Sequence, residues 1–179
     1  MSDRGARDAA PPVAAWRPAS IPRRLAALAY ESLLLAALLL LTGFALLLVT
    51  PGGAAARGLA VPDPLVRAMW FASMVVVLGT YCVYLWSGGR RTLPMKTWRL
   101  RLVCRDGRAL DVHRALLRFA SAWIGPALAS GTYAWLHDRG GGRWAILLLA
   151  ANFLWAMFDR DRQFLHDRLA GTVTLDDRG

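Results

Sequence analysis

Glu31 is the only glutamate in the chain, and it lies inside the apolar run LAALAYESLLLAALLLLTGFALLLV, residues 25–49. Twenty-five residues at ~1.5 Å each make roughly 37 Å of helix, enough to cross a ~30 Å hydrocarbon core. A carboxylate two turns into such a segment costs several kcal/mol, so it requires a partner, a wet cavity or a proton. Arg24 lies seven residues earlier, on the same helix face and about 10 Å along the axis. That is too far for an unaided contact, but both groups face the same neighbour. Two readings stand for the carboxylate. It is either half of a structural ion pair that orients the first helix, or a site for binding or translocation.

Four further residues carry titratable or polar chemistry. Asp159 opens the Asp-Arg-Asp-Arg stretch that closes the last apolar run. A carboxylate at a helix C-terminus opposes the helix dipole and asks for a partner. His166 and Asp167 are adjacent, and an acid beside a histidine can tune a proton-transfer group. Neighbours on a helix point ~100° apart, however, so adjacency alone does not make a dyad. Asn152 sits within an apolar run, where offset helices can bring it near Glu31.

The elements that must position these residues are mostly apolar blocks. Residues 65–86, 115–136 and 144–158 follow the first run as candidate spans. The last has 15 residues and reaches only ~22 Å as α-helix, so it crosses a thinned region, extends past its charged end or turns back with the third. Gly125-Pro126 is expected to kink or loosen the third run. Ser121, Gly125 and Ala129 make a small-residue stripe suited to close helix packing. Between the second and third runs, Trp98 to Cys104 alternates as a strand does, and Asp106-Gly107 is a turn signal. A return through Arg108-Ala109-Leu110 predicts a β-hairpin, and Asp111 a helix N-cap. The closing TVTL is a second candidate partner for Leu100–Cys104.

Composition excludes several classes. Hydrophobic residues make up 56% of the chain, and the net charge of +10 comes from 21 arginines and one lysine against 12 acids. The basic residues flank apolar runs instead of covering one soluble face, which speaks for membrane orientation and against nucleic acid. They number five before the first run, two in the first loop and its edge, nine over 87–118, two in 137–143 and four in the tail. With four spans the rich segments share one side, which the positive-inside rule makes the cytoplasm. Cys82 and Cys104 are expected at different depths, as free thiols. AAA at 54–56 mimics a cleavage site, but the run before it is too long for a signal peptide. No hydrolase, metalloprotease, P-loop or dinucleotide motif occurs, and the three histidines are scattered, so neither enzyme chemistry, cofactor nor metal site is expected.

IPRRLAALAYESLLL, LPMKTWRLRLVCRDGRALDVHRALLRF and RQFLHDRLAGTVTL together resemble the start, centre and end of the RDD family of small bacterial membrane proteins. The resemblance covers roughly residues 20–175. The family is named for an Arg and two Asp, and these fall on Arg24, Glu31 and Asp167. Glu31 departs from the name by one methylene, which argues against a tightly size-selective site. The resemblance implies transport of a small solute or cation, including cation/proton exchange.

The expected architecture is an all-α inner-membrane protein with four transmembrane helices and a cytoplasmic β-hairpin between helices 2 and 3. Residues 1–19 form a disordered tail, 20–175 the membrane domain and 176–179 a C-terminal tail. Arg24, Glu31 and Asp167 are the candidate transport or ion-pair site, with Asn152, Asp159 and His166 behind them. The partners implied are the bilayer, monovalent cations and protons, and another copy of the chain or a second membrane protein. The alternative function is non-catalytic assembly or regulation through the basic hairpin.

Overall fold

The computed structural model describes residues 17–50, 63–140, 142–161 and 163–177. The expectations for residues 1–16, for the 54–56 motif and for the last two residues lie outside the described residues.

Helix α1, Ile21–Val49, runs 29 residues, about 43 Å. It has a proline in its first turn, where the missing N–H costs nothing. Helix α2, Pro64–Trp86, is capped by the Asp63 carboxylate, which accepts from Leu65 N at 2.8 Å. The two helices pack antiparallel. Glu31 faces Tyr81, Gly43 faces Met74, and Trp70 Nε1 donates to Thr50 Oγ1 at 3.1 Å near the far end. Leu33, Leu40, Leu41, Phe44 and Leu48 stand 62–76% exposed along α1. An apolar strip of that extent suits lipid rather than water. By length and composition, α1 and α2 are able to cross a membrane.

At the near end of this pair lies a small sheet. Strand β1, Leu100–Cys104, follows a five-residue helix α3, Leu93–Thr97, and pairs antiparallel with β2, Thr172–Asp176. The register runs from Leu100 opposite Asp176 to Cys104 opposite Thr172. The expected hairpin therefore does not form. Gly107 makes its turn at φ 82°, and Cys104 N donates to Arg108 O at 2.9 Å. The return then stops, because Leu110 is buried to 1% exposure and Asp111 immediately caps the next helix, α4 at Val112–Ala122, accepting from Arg114 N at 2.7 Å. The β-branched run at the C-terminus, the second partner considered, supplies the ladder instead. Residues 17–19 also join this sheet. Ala19 N donates to Thr174 O at 3.0 Å and Asp176 N to Arg17 O at 2.9 Å. The boundaries drawn at 19 and 176 thus cut through ordered structure. Asp176 pairs with Arg23, and Asp177 with Arg91 and Arg101.

The third run is two helices, α4 at Val112–Ala122 and α5 at Ile124–Leu136, parted at Trp123. Pro126 explains the break: it has no N–H for the carbonyl of Ala122, and its ring crowds that oxygen. The fourth run is not a plain α-helix either. Residues Gly142–Ala150 and Trp155–Met157 wind as 3-10 helix around a short α6, Ala151–Leu154. The run packs antiparallel on α5, with Gly125 beside Leu149, and Tyr133 beside Gly142. Helix α7, Leu165–Leu169, leads into β2.

Gly125, the middle residue of the small-residue stripe, sits in this contact. A Cβ at Gly125 would lie 2.9 Å from the carbonyl oxygen of Leu149, a backbone atom that cannot swing aside. Gly125→Ala should therefore lower the melting temperature and Gly125→Leu should abolish folded yield, both read by size exclusion and thermal melts. Unchanged melting would mean that the two segments do not touch there.

Candidate functional site

Asp167 is fully buried between two arginines. Arg24 Nη2 donates to Oδ2 at 2.9 Å, and Arg118 Nε donates to Oδ1 at 2.8 Å. The charges come from three elements: α1, α4 and α7. Each guanidinium also lies on an aromatic face, Arg24 over Phe164 at 4.0 Å and Arg118 over Trp86 at 4.1 Å. Planar cations that stack as well as hydrogen-bond can be held with little water, which lysine does poorly.

His166 and Asn152 extend the cluster. Arg118 Nη2 faces His166 Nε2 at 3.2 Å, and a guanidinium can only donate, so Nε2 accepts. The ring proton is then on Nδ1, which donates to Asn152 Oδ1 at 3.0 Å. The same oxygen accepts from His166 N at 2.9 Å, and Asn152 Nδ2 donates to Ala122 O at 3.4 Å. Asn152 thus caps the carbonyl that Pro126 leaves without a helical donor. It ties the break in the third run to α7.

Burial sets the protonation here. Removal from water pushes the His166 imidazole down to about 4; Asp167 opposes this, while Arg118 and Arg24 reinforce it. Burial alone would raise the Asp167 carboxyl, but the charge of Arg118 first, then His166 and Arg24, hold it at about 2. Both folded values lie below the ordinary 6.5 and 3.8, so the unfolded chain takes up protons first as pH falls. Stability is full above pH 6.5 and declines toward about 4 as unfolded His166 protonates. A second decline follows between 3.8 and about 2 from Asp167. Acid melts should show the first loss centred near pH 5, on the order of 3 kcal/mol, and His166→Gln should remove that step. A melt flat from pH 7 to 4 would contradict a dry, neutral imidazole.

Glu31 has a different setting. Its Oε1 accepts from Tyr81 Oη at 2.8 Å and its Oε2 from Thr92 Oγ1 at 2.6 Å. Arg24, the other half of the ion pair considered for Glu31, donates to Asp167. Thr92, fully buried, also caps α3 through Met95 N at 3.4 Å.

Arg24, Glu31, Asp167, His166 and Asn152 nevertheless line one cavity of about 290 Å3, walled otherwise mainly by apolar side chains. Asp159 is not among its lining residues. Its Oδ2 accepts from Asp161 N at 3.1 Å and Gln163 N at 2.9 Å, which shapes the turn before α7. Arg118, Tyr81 and Thr92 are site residues the sequence reading passed over. Thr92 carried one signal, a hydroxyl two residues before Pro94.

Two long apolar helices with a buried Arg–Asp–Arg cluster at their near end define a helical membrane-type protein. The family model that matches is the RDD family, over residues 18–171. The chain belongs to that family. No curated protein and no solved structure matches it.

Proposed function

We propose that this RDD-family chain is a four-pass inner-membrane protein that exchanges a small cation against a proton at Glu31. The observation that carries the reading is the contrast between two carboxylates on one cavity. Asp167 is neutralised by two guanidiniums, whereas Glu31 meets hydroxyls, which serve an ionised or a protonated carboxyl equally well. Asp167 and Arg24 are then the frame, and Glu31 the working group.

Charge balance supports exchange. With His166 neutral and Glu31 ionised, the ionised groups on the cavity wall cancel. Either a proton on Glu31 or a monovalent cation beside it leaves the same single positive charge. The two ligands therefore compete for one place, which is the minimal requirement of an exchanger.

Four crossings are supported by length. The 3-10 stretches rise ~2.0 Å per residue, so Gly142–Met157 reaches roughly 30 Å, and α4 with α5 reaches about 37 Å. The sheet joins residues 17–19, β1 and β2, so those segments share a side, and they are the arginine-rich ones. The positive-inside rule makes that side the cytoplasm, with both termini there. An assembly role through the basic segment has less support, because Arg91, Arg101, Arg105 and Arg108 already pair with carboxylates of this chain.

The test is reconstitution of the purified chain into liposomes with a pH-sensitive dye inside. An external monovalent cation, sodium, potassium or an alkylammonium ion, should drive proton efflux, blocked by collapsing the cation gradient. No cation-linked proton movement would overturn the exchanger.

A further inference from the structure

We propose that the cavity takes an organic cation with an apolar body, its charge held by Glu31 and its body by the wall between α1, α2 and α4. This deepens the exchange reading and rests on it.

The chemistry around Glu31 suits such a ligand better than a bare metal ion. Hard cations take six or more oxygens. Here, among the described residues, the carboxylate is joined by two oxygens, the hydroxyls of Tyr81 and Thr92. The walls next to it are Ala27, Leu28, Leu35 and Leu78. Inorganic ions would have to carry their remaining water into an apolar space of about 290 Å3, far larger than they fill. An organic cation buries its body there and loses little hydration.

Aromatic rings complete the fit. The faces of Trp86 and Phe164 already carry guanidiniums. Phe119 and Trp123 meet edge to face at 6.1 Å on the cavity wall, which adds ring surface for an onium group.

Protons enter through the same carboxylate. The titratable and charged groups around it are Tyr81 and Cys82 on α2, Arg24 on its own helix, Arg118 on α4, and His166 and Asp167 on α7. Asp167 and both arginines are locked together, so Glu31 is the group free to trade a proton for the cation. Its proton leaves to water as the cation binds.

The probe is benzyltrimethylammonium, titrated calorimetrically against the full chain in lipid nanodiscs. Tetramethylammonium supplies charge with little body, and benzyl alcohol supplies body without charge. The benzylic cation should bind at least tenfold more tightly than either, and more weakly as pH falls. Glu31→Gln should cost at least tenfold with an unchanged melt. Ala27→Leu, which fills the space one turn before Glu31, should cost as much; if it does not fold, Leu78→Phe fills the space from α2. Equal binding of benzyl alcohol, indifferent to Glu31→Gln, would reduce the cavity to a lipid-filled gap and overturn the proposal. Sodium-driven, Glu31-dependent proton flux without benzyltrimethylammonium binding would overturn the ligand class and leave the exchanger standing. Absence of both would remove both.

Discussion

Asp167→Asn should cost on the order of 3–5 kcal/mol and leave little folded protein, because it strands two buried guanidiniums without a counter-charge. Asparagine fills the same volume, and its carbonyl can accept from one arginine. Its amide then points donors at the other. Arg24 and Arg118 lie against a side chain of 0% exposure, so water cannot replace the lost charge. Thermal melts and monodisperse yield in detergent are the readout. Arg118→Met combined with Asp167→Asn should recover part of the loss, since it removes one of the stranded charges. A single Asp167→Asn variant that melts like the parent would show the cluster to be wet.

Glu31→Gln should do the opposite: keep the fold and lose the flux. The Tyr81 and Thr92 hydroxyls can turn to accept from an amide, so stability should change by no more than about 1 kcal/mol. Proton flux in liposomes should fall at least tenfold, because glutamine cannot ionise. Glu31→Asp should retain activity, since the family pattern has Asp at that place. If Glu31→Gln instead unfolds the protein, the carboxylate is structural. If flux survives, the proton travels elsewhere.

The fold is legible in the residues where one local rule settles the outcome. Unbroken apolar length specified α1 and α2, and the side-chain oxygen of Asp111 specified the start of α4. The hairpin after β1 failed for a non-local reason. A turn at Asp106-Gly107 is compatible with two partners for Leu100–Cys104, and only the burial of Leu110 and the immediate helix start remove the nearer one. Arg24 and Asp167 were legible through the family pattern, but their direct contact was not. Nor was Arg118, which reads locally as one more surface arginine on an amphipathic helix. Its neutralising acid lies 49 residues away. Glu31 was found for a sound reason, its cost in an apolar helix, while its hydroxyl partners came from segments with no periodic signal.

The bond from Arg24 to Asp167 joins positions 143 residues apart, and the strand beside residues 17–19 is β2, at Thr172–Asp176. Synthesis runs from the N-terminal side, so α1 is made long before the carboxylate that pairs with Arg24 exists. Until Asp167 and β2 follow, Arg24 and Arg118 lack the carboxylate they share and β1 lacks its strand partner. A nascent chain stalled or truncated before Asp167 is thus marked by exposed charge and an unpaired strand, features that distinguish it from a finished molecule. The arrival of Asp167 and β2 therefore completes the buried charge cluster and the sheet together.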